Sequence, residues 1–586
     1  MKRTWLCLVA LAATGAGAMG GGCSSSSSPA PIVFTREEML QPEKCASCHQ
    51  NHFDDWTASM HARASDDPVF LAMNQRGQRE TNGTLGKFCV QCHAPMAVRD
   101  GMTTNGLNLA SLPTYYKGIT CFFCHTIDSV GTNHDNASVN LSGDLVMRGE
   151  ISDPVANSAH ASTYSSFHDD QQKDSATMCG SCHDIDSPAG GHIERTFAEW
   201  SASAFSGPAG QTCTFSGCHM KTLPNLVSIA TGGPATRLYH PHDFPAVDVP
   251  LESLSPSADG GVATVDDGVA AADGGAPDGG AIADSGAALD ATLADDGAVP
   301  ADGGATPADG AAPASDTGAP TMAGAGATDG GLAAATTAVQ NALNDDALQG
   351  ALCVTVNSSI RVILDTTGVG HHWPSGAAQD RRAWAEVIAY RADGSVIYSS
   401  GVVPDGTPVT SIKDPDLWLL RDCMYNAQSQ PVVNFWQAAQ TSGYELPALL
   451  TFDAGDPNFY VNHIVQSYPS QTATMTSLKE RPSKVTLRIR IQPIGLDVLD
   501  DLVDSGDLDP SVVAKMPTFD VSLQGPIGPG LAPPGGLVWT PDADGGTYVD
   551  NTNLMMGPAT CATSPSFRPL FPVQAKTAAT CPGPSP

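Results

Sequence analysis

The hydrophobic pattern divides the chain into stretches with different periods. Toward the carboxy terminus, Val485-Thr486-Leu487-Arg488-Ile489-Arg490-Ile491-Gln492 alternates apolar and polar residues strictly. Successive strand side chains point to opposite faces, so this alternation predicts a half-buried strand. A second strand run spans Cys353 to Leu364. Ala383 to Ala389 and Val396 to Val403 flank Asp393-Gly394, a dipeptide that favours a tight hairpin turn. From Gly495 to Val503, the spacing of Leu496, Leu499 and Leu502 is that of a short helix with one apolar face. Together these signals predict a mainly β, sandwich-like domain over residues 350–586.

Upstream the pattern changes. Residues 251–349 are largely Ala, Gly, Asp and Pro with repeated Asp-Gly-Gly, and from Ser253 to Asp346 there is no Cys, His or aromatic residue. Such a stretch cannot bury enough apolar surface to offset the entropy of ordering it, so it reads as a disordered acidic linker, with local helix possible near Ala333 to Ala347. At the amino terminus, Met1-Lys2-Arg3 precedes an apolar run from Trp5 to Met19, then Gly20-Gly21-Gly22, Cys23 and Ser24 to Ser28. A basic start, a short apolar run and small residues predict a secretory signal, too short for a comfortable transmembrane span. Small residues, then Cys, then a Ser-rich tether resemble a bacterial lipoprotein signal, although Gly20 stands where that family usually has Leu. The resemblance implies a signal over residues 1–22, lipidation of Cys23 and a tether over 23–38. The expected location is then an outer-membrane lipoprotein facing the periplasm or the cell surface. The alternative is an ordinary signal peptide cut nearby.

Charge narrows the partners. The formal net charge is −32, which argues against nucleic acid, since phosphate binding needs a basic surface. Between Leu251 and Gly350 lie 16 Asp or Glu and no Lys or Arg, so half of the net charge sits in one stretch. Sixteen cysteines point to an oxidising compartment or to a use for Cys other than disulfides.

Residues 39–250 hold ten of those cysteines and supply that use. Cys45-Ala-Ser-Cys48-His49, Cys89-Val-Gln-Cys92-His93, Cys121-Phe-Phe-Cys124-His125 and Cys179-Gly-Ser-Cys182-His183 share one pattern. Cys-x-x-Cys-His is the attachment signal of c-type haem: two thiols reach the two vinyl groups on one porphyrin edge, and the adjacent His binds the iron. Single Cys-x-x-Cys units also serve zinc and thiol redox sites. Chance supplies roughly 0.01 such pentapeptides in a chain of this composition, so four are a repeated design. Cys213-Thr-Phe-Ser-Gly-Cys218-His219 has four residues between its cysteines. If the two extra residues bulge outward it is a fifth haem site; otherwise its thiols are free or form a disulfide. Haem c is thus the expected cofactor at four sites and at the fifth if the bulge holds. A region this short cannot build a conventional core around five haems, so the haems themselves are expected to be the core, among short helices and loops.

Five proximal histidines leave eleven others. The candidates for second axial ligands are His61, His160, His168, His240, His242 and His371. If the chain from His49 to His61 is one helix, the two lie about 18 Å apart, too far to share an iron. His61 is therefore expected to serve a site other than the first.

These motifs resemble the multihaem cytochromes related to cytochrome c-554 and hydroxylamine oxidoreductase. Trp56-x-x-Ser59-x-His61-Ala62 follows the first site, as in that family. Cys89 to Pro95 and Gly118 to His125 are similar to its second and third sites. Tyr164 to His168, Cys179 to Asp184 and Glu194 to Trp200 are similar to the fourth; Cys218-His219-Met220 is similar to the fifth. His240-Pro-His242-Asp-Phe244 stands where relatives often place a ligand His. Gly370-His371-His372-Trp373-Pro374-Ser375-Gly376 is similar to an element of the family's β domain, which implies that His371 approaches a haem; the alternative is a structural turn. The long acidic linker departs from the family. Cys353, Cys423, Cys561 and Cys581 lie outside any haem motif and are expected to pair as Cys353–Cys423 and Cys561–Cys581.

Two functions remain open. The first is electron transfer between other redox proteins, or to a terminal acceptor, with every iron capped by two protein ligands. The second is an enzyme that reduces or oxidises a small nitrogen or sulfur compound at one open iron, where Tyr115, Tyr116, Lys117 or Arg195 could move protons. A scaffold or redox sensor is a third, weaker alternative.

Overall fold

The computed structural model describes residues 33–252 and 330–541, except 134, 158, 208, 216, 232–235, 345–347, 355–357, 367, 454–455, 463, 471–476 and 525–535, together with Cys581. The signal, Cys23, most of the tether, the acidic stretch 253–329, His134, His463 and Cys561 lie outside the described residues. Among the described residues no helix is long and apolar enough to cross a membrane.

Residues 33–252 are built from short helices and two-stranded ribbons, as the motifs predict. The longest helix, Pro68–Glu80, has 13 residues, starts on Asp67, whose side chain accepts from the Phe70 amide, and carries Pro at its first turn, where no amide partner is needed. The helix Gln50–Ala58 buries none of its residues. It stops at Ser59, which is extended (φ −80°, ψ 158°) and caps the next turn, Met60–Arg63. The path from His49 to His61 is therefore broken rather than one straight helix. The buried apolar clusters here are small; Met39, Leu40, Met96, Phe122, Phe123, Ile127 and Val139 form one of them.

Residues 330–541 are mainly β. One sheet orders its strands Ile464–Tyr468, Ile360–Asp365, Leu348–Val354, Leu523–Gln524. A second runs Val396–Ser400, Arg382–Tyr390, Lys484–Gln492, Phe519–Val521, with Trp418–Leu420 and Leu537–Trp539 paired to its middle strands, and a small third orders Pro431–Val432, Asp422–Tyr425, Gln440–Gly443. Val354, Ile360, Val362 and Leu364 of the first sheet share one buried cluster with Ala385, Val387, Leu487 and Ile489 of the second. The alternation at Lys484–Gln492 has its expected outcome: Val485, Leu487, Ile489 and Ile491 are buried, while Arg488 turns outward to Glu386 at 2.8 and 2.9 Å. The helix Leu496–Asp504 buries Leu496, Val498, Leu499 and Leu502. At the hairpin, Gly394 adopts φ 84°, a left-handed conformation that favours glycine. The second strand ends at Ser400 because Gly401 turns at φ 71°, where an added Cβ would lie 2.0 Å from the Ala385 carbonyl oxygen.

Three expectations change. The run from Cys353 to Leu364 is two antiparallel strands, with Ile360 opposite Val354. The stretch assigned to the linker ends earlier than residue 349: the helix Gly330–Asn344 buries Val339 and Leu343 in the main core, because Val and Leu at that spacing give a short apolar face. The disulfide guess fails as well. Cys423 bonds Cys581, 158 residues away, and Cys353 is disulfide-bonded elsewhere. Cys353 and Cys423 lie on strands of different sheets.

The two regions belong to one compact unit. Arg381, 7 % exposed, reaches both carboxylate oxygens of Asp248 at 2.8 and 2.9 Å. Val69, Ala72, Val249 and Leu251 enter the main core, and Ile193 packs with Met424 and Ala438.

Candidate haem-binding site

Each Cys-x-x-Cys-His segment forms a tight turn that brings its His back over its first Cys. The His49 amide donates to the Cys45 carbonyl at 2.8 Å, His93 to Cys89 at 3.3 Å and His183 to Cys179 at 3.1 Å. Cys121–His125 is itself a helical turn capped by the Thr120 hydroxyl. In the expanded segment the His219 amide still donates to the Cys213 carbonyl, at 3.1 Å, although five residues lie between them. The closing bond therefore survives the longer spacing. None of the ten motif cysteines is taken up in a disulfide.

The imidazoles are oriented from behind. Nδ1 of His49 meets the Ile229 carbonyl at 2.7 Å, that of His93 the Ala64 carbonyl at 2.8 Å, that of His125 the Arg148 carbonyl at 2.6 Å and that of His219 the Pro245 carbonyl at 2.8 Å. A carbonyl only accepts, so Nδ1 carries the proton and Nε2 keeps its lone pair, the usual arrangement of a metal-ligating histidine. Outside the motifs, His242 is held by the His240 carbonyl at 2.8 Å and His371 by the His372 carbonyl at 2.7 Å, and His160 lies 3.2 Å from the Ala161 carbonyl. Burial lowers the His183, His242 and His371 pKa values to about 4 and that of His61 to about 3, which keeps these rings neutral.

With about 2 Å for a metal–imidazole nitrogen bond and about 1.1 Å from that nitrogen to the ring centre, two imidazoles capping one iron have centroids about 6.3 Å apart. Four motif histidines have such a companion. The separations are 6.3 Å for His49–His160, 6.2 Å for His125–His242, 6.3 Å for His61–His183 and 6.3 Å for His219–His371. His93 differs: the ring against it is Phe70, stacked at 4.1 Å with planes 6° apart. Among the described residues no imidazole stands across from His93 at the spacing of the other four.

His168 and His240 are placed differently from the paired histidines. His168 directs Nε2 to the Cys124 carbonyl at 2.8 Å, which occupies the ligating nitrogen and sets the ring beside the third motif. His240 uses both nitrogens, Nε2 with Glu150 at 3.1 Å and Nδ1 with Thr222 at 3.3 Å. Lys117 pairs with Asp66 at 3.0 Å and Tyr116 donates to Asp100 at 3.2 Å, so both are held by carboxylates, as is Arg195 by Asp184 and Asp186. Sequence reasoning missed Phe70 and the carbonyls that orient the rings. A backbone carbonyl has no side-chain signature, so nothing in the residue types marked them.

Cysteines of different motifs are neighbours: Cys45 of Cys121, Cys92 of Cys182, and Cys179 of Cys213. The first site thus adjoins the third, and the fourth adjoins both the second and the fifth. Thiols in pairs, a carbonyl-oriented imidazole beside them and a second imidazole at bis-ligand spacing are the donor set that haem c requires.

Residues 44–126, which contain the first three motifs, match the family model "Cytochrome c554 and c-prime". No curated protein matches the chain. Among solved structures, a penta-heme cytochrome c552 from Thermochromatium tepidum aligns over 83 % of this chain and 100 % of that one, at 15 % identity and a TM-score of 0.46. On its repeated attachment motifs and the family match across three of them, the chain is a multihaem c-type cytochrome.

Proposed function

We propose that this cytochrome is exported, is anchored to the outer membrane through lipid on Cys23, and passes electrons through five haem c groups between periplasmic or cell-surface redox partners. The four imidazole pairs at 6.2–6.3 Å carry this reading, because each joins a motif histidine to one from elsewhere in the chain. Haem supplies one-electron exchange at its iron. Paired thiols would attach it, and its iron would be held by His49 with His160, His125 with His242, His183 with His61, or His219 with His371, most of these rings being set by a carbonyl on Nδ1. Two protein ligands leave no position for substrate and keep the ligand set unchanged between oxidation states, which suits electron transfer. The nearness of cysteines of different motifs supports close neighbours, with the fourth site as the junction. The acidic segment before residue 330 reads as a linker, and the two sheets around one core read as a sandwich.

The second site favours an additional reading. His93 has Phe70 at its side and no described imidazole opposite. That supports an open iron able to reduce or oxidise a small nitrogen or sulfur compound. Electron paramagnetic resonance of the fully oxidised, haem-loaded protein tests both. Low-spin signals from four haems, with about one in five high-spin and responsive to nitrite, hydroxylamine or cyanide, are expected. Signals that are low-spin throughout would remove the enzyme reading; several high-spin haems would remove the electron-transfer reading.

A further inference from the structure

We propose that Glu199, His372 and Glu445 form a site for a divalent first-row cation, clamping residues 33–252 to residues 330–541. One donor atom from each of the three lies within 4.8 Å of the others. Glu199 comes from the helix Thr196–Ala202; His372 and Glu445 come from the β region. This site is separate from the haem motifs and does not depend on the electron-transfer reading.

The donors are built in. Trp373 and Leu446 exchange two backbone hydrogen bonds, at 2.9 and 2.8 Å, and so hold their neighbours His372 and Glu445 side by side. Glu199 Oε2 accepts from the His372 amide at 3.1 Å and the Ser375 hydroxyl at 2.7 Å, which fixes the carboxylate. Its Oε1 stands 3.7 Å from His372 Nδ1. That is too long for a hydrogen bond, yet it is the separation of two ligands that each lie about 2 Å from one ion. Gly443 makes the space: a Cβ there would sit 2.4 Å from Glu445 Oε2 and 3.3 Å from Asp422 Oδ1. Asp422, hydrogen-bonded to Glu445, is a further oxygen donor within reach.

Charge points the same way. Glu445 is 7 % exposed, and the charges acting on it most strongly are the carboxylates of Asp422 and Glu199. Like charges held together out of water are costly unless protons or a cation intervene. An imidazole among carboxylates selects Mn²⁺ or Zn²⁺ over Mg²⁺ and Ca²⁺, which prefer oxygen donors alone.

The test titrates the haem-loaded full chain with Mn²⁺, read as loss of the free aqueous Mn²⁺ resonance, at salt high enough to screen weak binding to the acidic exterior. One tight ion per chain is expected, displaced by Zn²⁺. Its affinity should fall about tenfold or more in E445Q and in E199Q, and stay unchanged in D393N, an exposed turn residue. The bound ion should also raise the unfolding midpoint of the wild type but not of E199Q. E199Q carries the test if E445Q fails to fold. Wild type that retains no more Mn²⁺ than E199Q, or a tight ion indifferent to both substitutions, overturns the proposal.

Discussion

Along Lys484–Gln492, alternate side chains are sealed against a second sheet, whereas along Gln50–Ala58 none of nine residues is buried. The strand belongs to a region whose core is made of packed apolar side chains, most of them its own, with Trp384, Trp418, Leu364 and Leu417 almost inaccessible. The helix belongs to a region whose side chains form small clusters around thiols and imidazoles. The comparison teaches that the two regions draw their stability from different sources. One is complete as polypeptide; the other leaves the apolar mass of its centre to a covalently attached cofactor.

The strongest way to break this comparison is to withhold the cofactor. Expressed without the machinery that attaches haem to cysteine, the chain should lose amide protection across Gln50–Ala58 and Cys121–His125. Lys484–Gln492 should keep most of its protection, as measured by hydrogen exchange. Equal loss in both regions would contradict it.

Smaller effects sharpen it. Leu487 is fully buried in the shared core, so Leu487→Ala should cost about 3 kcal/mol in denaturant unfolding, with the haem absorption unchanged until that transition. Arg381→Ala strands Asp248 at the seam and should cost about 2 kcal/mol, less than a fully buried pair because Asp248 is partly exposed. In calorimetry the transitions of the two regions should then move apart; a single undivided transition would argue that other seam contacts suffice. His61→Ala should change stability least and spectra most selectively. The haem on His183 should turn high-spin, while the haem on His49 stays low-spin. Loss of the first haem's signal instead would overturn the assignment of His61.

The legibility of the sequence follows the same division. The strand Lys484–Gln492, the helix Leu496–Asp504 and the turn at Gly394 were readable because a local period or a special residue dictates each. The attachment motifs stand out in the sequence because their spacing is set by porphyrin chemistry. The partner of Cys423 was not, because 158 residues of chain separate it from Cys581 and no local rule selects one connectivity. The end of the acidic stretch was misplaced because Val339 and Leu343 gain their burial only from strands elsewhere in the chain.

By itself the sequence determined the cofactor chemistry: two thiols and a histidine within one turn are a local constraint that no distant contact can supply or remove. It also determined the mainly β character of the carboxy-terminal region, since alternation is a property of a single strand. Only the tertiary structure decided which histidine faces which. His61 stands across from His183, and His371 across from His219, while His168 and His240 spend their ligating nitrogens on a carbonyl and a carboxylate. The physical reason is that an axial pair is a meeting of two rings at a fixed separation, and that separation depends on the path of all the chain between them.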